Sequence, residues 1–431
     1  MTTTPDADRR PVVLVLGEEI PPRTGGVAQW GYWMARKIQE RGIRVVYAAR
    51  ADYADPSGDY GDCFTLHPIS GRGWRHYKDL RILGALRALW ARFRPRAVIC
   101  LNCKVARIPL LLRPLTGWKV AVVAHGMEVT KNSGHLRRRL GLRWVYGSAD
   151  LTVAVSRYTR ERVLEFGVEP GQVRVIPCGV DPEFFRPLDG ARVRAQLGLA
   201  DRPIILTLAR LVHRKGHDLV IRALAEVHRR VPDAVYLVGG TGGDGYVEHL
   251  RALAGACGVS HAVRFLGAVE SAGLPALYSA SNVYVMASRS LEGDSNFEGF
   301  GVTYLEANAC GIPVIGADTG GVADAIVDGQ TGFLIPPDDV PALADRLHRL
   351  LTEPALARRM GAAGRARVLR DLTWDRISGR FLEGLEESTG PLLHRPAAPE
   401  PVEDSRIAGG PAGLRYRDPM PGAVEHRHDQ I

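Results

Sequence analysis

The chain has 431 residues, enough for two domains of ordinary size, and its 45% hydrophobic and 24% charged residues are a globular composition, not that of a disordered or fibrous protein. No apolar run approaches the ~20 residues of a membrane-spanning helix, and the opening MTTTPDADRR followed by VVLVLG lacks the apolar core of a secretion signal, so cytoplasmic residence is the expectation. The net charge of +9 is uneven: residues 1–150 carry 25 Lys and Arg against 12 Asp and Glu, a local +13, so the remainder is slightly acidic.

Residues 1–10 read as a polar leader. Val12 to Leu16 then reads as a buried strand, PPRTGGVAQW leads into a helix over about 27–41, and a second strand follows at 43–48. This is the opening of a doubly wound α/β domain, whose ligands gather at the carboxyl ends of strands. Gly25 and Gly26 lie at such an end, where glycine serves either a tight turn or close approach to a ligand. Residues 72–96, RGWRHYKDLRILGALRALWARFRPR, set Leu83, Leu86, Trp90 and Phe93 at helical spacing among Arg81, Arg87, Arg92 and Arg94. HLRRRLGLRWVYG at 135–147 repeats the character. Two readings stand: a core-packed stripe with a solvated cationic face, or peripheral docking on anionic lipid or attraction of an acidic acceptor. Nucleic acid is not an expected partner, because no recognition module accompanies the charge.

Strands at about 96–101, 118–124, 150–155 and 172–176 complete a first domain over 11–180. VVAHGMEV brings His125 and Gly126 to a strand's carboxyl end. Six cysteines are scattered, as reduced thiols would be, and the pair Cys100 and Cys103 has no further ligands at metal spacing. IPCGVDPEFFRPLDG, rich in Pro and Gly, marks a connection assigned to 181–200.

From 201 to 371 the alternation restarts: strand IILTLA, a helix over 216–230, AVYLVG, a helix over 245–257, VRFLG, a helix over 273–280, NVYVMAS, and then DSNFEGFGVTYLEANACGIPVIGADTGG at 294–321. In LARLVHRKGHD, Arg210 and Lys215 leave a strand end around one loop and can converge on an anion such as a diphosphate. GTGGDG at 240–245 matches GxGxxG, but the acidic residue that the dinucleotide fingerprint wants at the end of the next strand arrives late, as Glu270 after a loop. In the 294–321 stretch, Glu298 and Glu306 are separated by seven residues, and Gly299 and Gly301 free the backbone before a short helix from Val302. A helix N-terminus rising from a glycine loop suits a phosphate, and carboxylates beside it suit hydroxyls, so the ligand expected here is a nucleotide sugar. A helix over 372–388 closes the fold, with a possible crossing back to the first domain, and residues 389–431, rich in Pro, Gly and charge, read as a disordered tail.

IPCGVDPEFFRP, LARLVHRKGHD, VRFLGAVESAGLPALYSASNVYVMAS and FEGFGVTYLEANACGIPVIGADTGG together resemble the motifs of retaining glycosyltransferase family 4, enzymes of GT-B fold. The resemblance implies two Rossmann-like domains facing each other across a cleft, the first for acceptor and the second for donor. It implies that Glu298 and His125 border the transferred sugar as the catalytic pair, and that Glu306 takes the donor ribose. Arg210 and Lys215 would hold the diphosphate, Phe300, Gly301 and Val302 would form the donor-facing loop and helix start, and Gly26 would approach the diphosphate from the first domain. The reaction so implied moves a hexose from a GDP- or UDP-sugar to an unidentified glycan, glycolipid or small metabolite. It implies no cofactor and no metal, the only DxD being Asp6 to Asp8 in the leader. Cys178 stands where the family commonly has asparagine. A nucleotide-sugar-binding protein without transferase activity, and a dinucleotide-dependent oxidoreductase, are the alternative readings.

Overall fold

The computed structural model describes residues 10–21, 25–52, 60, 63–71, 74–130, 135–290 and 297–390, and the expectations for the leader and the tail fall outside them. The first sheet contains β1 (Val12–Leu16), β2 (Arg44–Arg50), β3 (Thr65–Ile69), β4 (Ala97–Cys100), β5 (Lys119–Ala124), β6 (Leu151–Ala154) and β7 (Val173–Val175), in the order β3-β2-β1-β4-β5-β6-β7. The second contains β8 (Ile204–Leu208), β9 (Val235–Gly239), β10 (Val263–Gly267), β11 (Val283–Met286), β12 (Val314–Ala317) and β13 (Gly332–Ile335), in the order β10-β9-β8-β11-β12-β13. Every pairing is parallel. The strands are short Val- and Ile-rich runs because helices cover both faces of each sheet, leaving Val13, Val15, Ile204 and Leu206 with no exposed surface. In both sheets the order reverses beside the first strand, at β1/β4 and β8/β11, and those reversals open the crevices where ligands bind in doubly wound folds.

Sequence reading left out β3 and β13. β3 is an edge strand, TLHPI, half exposed and interrupted by Pro68, so its apolar signal is weak. β13, GFLI, opens on Gly332 and runs straight into Pro336 and Pro337, so its apolar run is cut short on both sides. Residues 191–196 form a helix that packs on helix Leu274–Ala280, and Leu199 is fully buried, so the stretch without helix or strand between the two sheets is 176–190, broken only by a single bridge at Val180.

The chain passes between domains twice, side by side: Val180 N–H donates to the Leu372 carbonyl at 2.9 Å. Helix Trp374–Thr389 then lies against helix Gly26–Glu40 of the first domain. Trp33 stacks on Trp374 at 6.3 Å and 8°, Arg41 pairs with Asp375 at 2.9 Å, and Arg174 pairs with Glu387.

Helix Trp74–Phe93 uses its apolar stripe in the core, where Ile82, Leu86 and Leu89 are buried and Trp90 and Phe93 pack against them. Arg94 covers the Trp90 ring at 3.7 Å and Arg92 the Phe93 ring at 4.9 Å. Of the stripe read from the sequence, Leu86, Trp90 and Phe93 are therefore packing surface, with Ile82 and Leu89 in place of the half-buried Leu83.

Candidate active site

The carboxyl ends of the two sheets meet through backbone contacts that only glycine permits. A Cβ on Gly299 would lie 2.2 Å from the His125 carbonyl oxygen, and one on Gly126, at φ +125°, would lie 2.9 Å from the Phe297 ring. Gly301, at φ +89°, turns the chain into helix Val302–Ala309. Gly321 N–H donates to the Glu298 carbonyl at 2.8 Å, so the Glu298 peptide is held from its own domain while its neighbour touches the other. Arg157 of the first domain reaches the Asp324 carboxylate at 2.5 Å beside this contact, and Phe297 meets the Tyr158 ring edge-on at 4.7 Å.

The Glu298 carboxylate is shared by two cations. Lys215 Nζ lies 2.5 Å and Arg214 Nη1 3.0 Å from Oε2, with all three side chains between 10% and 14% exposed. Burial opposes ionisation of Glu298, but Lys215 and Arg214 outweigh it and hold the carboxyl below its ordinary range. Burial lowers the Lys215 pKa, Glu298 opposes that, and the charges of Arg214 and Arg210 add to the lowering. Two cations on one carboxylate, with the charge of Arg210 felt at Lys215, leave positive charge in surplus, which an anionic ligand would neutralise. Arg210 is exposed just beyond the end of β8, and among the described residues it is Arg214 and Lys215, not Arg210, that bond the Glu298 carboxylate.

The loop carrying these cations is braced from several sides. Arg289 clamps Asp218 with two 2.7 Å bonds, donates to the His213 carbonyl at 3.1 Å, and accepts nothing in return. Its backbone N–H bonds the Arg214 carbonyl at 2.8 Å. Gly216, at φ +71°, leaves no room for a Cβ beside the Ala287 carbonyl. The GTGGDG glycines serve the same loop: a Cβ on Gly240 or Gly242 would lie 2.0 or 2.3 Å from the Ala209 or Leu211 carbonyl oxygen, and Leu211 N–H bonds Thr241.

Glu306, on helix Val302–Ala309, accepts the Tyr278 hydroxyl at 2.7 Å, and burial pushes its carboxyl up to about 7. Tyr284 lies in the field of both glutamates. Phe300 is a core side chain, 3% exposed, so its part in the loop is packing; Val302 is half-buried at the helix start. His125 follows β5, its ring edge-on to Trp30 at 5.9 Å. Burial pulls its pKa down to about 4, against a bond to the Leu101 carbonyl, so the imidazole is neutral at neutral pH. Its Nε2 has no partner among the described residues and can accept from a hydroxyl. Gly26 begins helix Gly26–Glu40, one turn before Trp30, with open space where a Cβ would stand.

The structure thus brings Glu298 and Lys215 together and sets the His125 backbone against Gly299. Arg210, Glu306 and Gly26 stand apart from that contact. Sequence reading missed Arg214, which only its place between Arg210 and Lys215 could have suggested. Of the CxxC pair, both thiols are buried, and burial raises Cys103 to about 11, which suits inert apolar packing.

A family model described as Glycosyltransferase Family 4 matches residues 24–184, and one described as Glycosyl transferases group 1 matches residues 191–367. A Mycolicibacterium smegmatis protein named GDP-mannose-dependent alpha-(1-6)-phosphatidylinositol monomannoside mannosyltransferase is 31% identical over 382 residues, spanning 86% of this chain and 97% of its own. A D-inositol 3-phosphate glycosyltransferase of Acidothermus cellulolyticus is 35% identical over 263 residues, 57% of either chain. The solved structure of sucrose-phosphate synthase from Thermosynechococcus elongatus shares the fold at a TM-score of 0.74 and 24% identity, over 88% of this chain and 99% of that one. Two doubly wound sheets meeting at a Glu298 held by basic residues, and matches that run through both halves, make this chain a member of glycosyltransferase family 4, a nucleotide-sugar glycosyltransferase of GT-B fold.

Proposed function

We propose that this enzyme is a retaining, metal-independent mannosyltransferase that uses GDP-mannose and delivers the sugar to an inositol-containing glycolipid at the inner face of the membrane. The observation that carries the reading is the Glu298 carboxylate shared by Lys215 and Arg214 at the meeting of the two domains. The donor and acceptor follow the names of the relatives. An arriving diphosphate draws Lys215 and Arg210 to its oxygens and frees Glu298 to accept hydroxyls of the sugar. His125 Nε2 accepts another from the opposite side. As the bond from the anomeric carbon to the diphosphate breaks, negative charge grows on the leaving phosphate, where the two cations and the amides at Gly301 and Val302 meet it. The acceptor oxygen bonds the same face of the carbon and passes its proton to the leaving phosphate.

A screen of GDP- and UDP-sugars scored by nucleotide release tests the donor, with EDTA present in a parallel series. Release of GDP from GDP-mannose, undiminished by EDTA and accelerated by phosphatidylinositol monomannoside, is the expected result. Preference for a UDP-sugar would overturn the donor, and nucleotide release from none would favour a silent binding protein.

Glu306 supplies a pH signature. With its pKa near 7, the ionised fraction falls from about nine-tenths at pH 8 to about one-tenth at pH 6. Because ribose hydroxyls donate to the carboxylate, GDP affinity should fall by up to about tenfold over that interval, and Glu306→Gln should flatten the profile. Calorimetric titration at the two pH values checks it.

Membrane contact would use a different surface from the buried stripe of 72–96. Among the described residues nine large hydrophobic side chains are exposed, and seven lie on three neighbouring helices, Trp74–Phe93, Cys103–Thr116 and Leu136–Ser148. Leu136, Leu140 and Trp144 follow one another at four-residue spacing, among the exposed Arg137, Arg139 and Arg143. No helix among the described residues is long and apolar enough to cross a membrane, so contact would be peripheral. Flotation with phosphatidylinositol-containing vesicles should fall about tenfold in a Leu140→Asp/Trp144→Asp variant. Equal flotation of parent and variant would remove this face from the proposal.

A further inference from the structure

Glu128 lies in the VVAHGMEV stretch without a role assigned to it from the sequence, and its carboxylate is spent on the backbone beside it. It accepts the N–H of His125. The N–H groups of Gly126 and of Glu128 itself also bear on it as hydrogen-bond donors. Helix Met127–Thr130 follows directly, and Arg138 anchors the Glu128 carbonyl at 2.8 Å. A carboxylate that collects several adjacent N–H groups sets the peptide planes between them, because each donor must point at the same two oxygens.

Those peptide planes belong to the turn through which the first domain meets the second. Gly126 holds φ +125°, a conformation that needs support from its surroundings. The His125 carbonyl lies against the Gly299 backbone, next to Glu298, and the Phe297 ring covers Gly126. The same turn aims the His125 ring, whose other nitrogen is held by the Leu101 carbonyl while Nε2 stays without a partner among the described residues. One carboxylate therefore orients the imidazole and shapes the seat on which the Glu298 loop rests.

We propose that Glu128 is a positioning residue for sugar transfer, its carboxylate locking the His125–Gly126 turn so that the imidazole and the Glu298 loop face each other at a single spacing. This rests on the reading of His125 and Glu298 as the groups that border the transferred sugar. Because the Glu128 carboxylate is taken up by backbone N–H groups of its own turn, its loss should act on turnover and not on donor binding.

The test measures kcat and KM for GDP-mannose by GDP release, together with thermal unfolding, in Glu128→Ala, Glu128→Gln, Glu128→Asp and His125→Ala. Glu128→Ala should lower kcat about 30-fold with KM within about twofold of the parent, since misplacing a reacting group by a fraction of an ångström acts on the chemical step. Glu128→Gln keeps an acceptor oxygen at the same reach and should restore kcat to within about fivefold of the parent. Glu128→Asp, one methylene shorter, should resemble the alanine variant; it decides the matter if Glu128→Ala does not fold. Parental kcat in folded Glu128→Asp, or equal loss in the Gln and Ala variants, would overturn the proposal. His125→Ala separates the two levels: if it turns over like the parent the reading of the site fails, whereas an impaired His125→Ala beside an unimpaired Glu128→Asp condemns the role of Glu128 alone.

Discussion

Glu298→Ala is expected to reduce GDP release from GDP-mannose about 1,000-fold while leaving GDP bound at least as tightly as in the parent. The two effects have opposite signs because the carboxylate does two things. Toward the sugar it is an acceptor for hydroxyls whose acidity rises as the anomeric carbon becomes positive, and that interaction is lost on truncation. Toward Lys215 and Arg214 it is a counter-charge at 2.5 and 3.0 Å, competing with the diphosphate for Lys215. Its removal raises the positive potential where the phosphates would sit. It also leaves two cations, 10% and 12% exposed, without their partner, at a cost of about 3 kcal/mol in stability. Thermal unfolding should show that loss, and saturating GDP should recover most of it by supplying the missing negative charge. Weaker GDP binding in the variant, or turnover within tenfold of the parent, would remove Glu298 from the role.

Lys215→Ala should weaken GDP binding about 100-fold, the scale of a lost charge-assisted bond to phosphate, and lower transfer at least as far. Here the stability cost is smaller, because Arg214 still pairs with Glu298. The lysine also carries an alkaline signature. Burial, with Arg214 and Arg210 nearby, lowers its pKa, so GDP affinity should decline as pH rises into the range where Lys215 loses its proton, earlier than for an ordinary lysine. Lys215→Arg, whose guanidinium stays charged, should remove that decline. An isothermal titration series with GDP across alkaline pH distinguishes parent from variant. Arg214→Ala offers the contrast: it leaves Lys215 in place and should be felt more in unfolding temperature than in nucleotide affinity.

The cationic loop illustrates how far the residues could be read without coordinates. LARLVHRKGHD announces a strand end and a basic loop, and both the residues and the resemblance pick out Arg210 and Lys215, yet it is Arg214 that joins Lys215 on Glu298. Which of three neighbouring cations turns inward depends on the Arg289–Asp218 clamp and on Gly216 beneath Ala287, partners some 70 residues apart in the chain. Glu128 was illegible for a similar reason. A glutamate on a short helix looks solvated until its backbone donors are seen.

The alternation of short Val- and Ile-rich runs with amphipathic helices was sufficient to establish two doubly wound parallel sheets, since side chains buried on both faces of a strand and on one face of a helix leave periods that survive in one dimension. The spacing of Glu298 and Glu306 around a glycine loop was equally plain, because a left-handed turn before a helix is a local demand on residue type. Tertiary structure alone decided that the apolar stripe of helix Trp74–Phe93 is core while Leu136, Leu140 and Trp144 face outward, that Trp33 and Trp374 are the rings through which the last helix rests on the first domain, and that the His125 carbonyl meets Gly299. Those outcomes are set by what packs against a face once two domains have docked, and periodicity records that a face is apolar without recording what covers it.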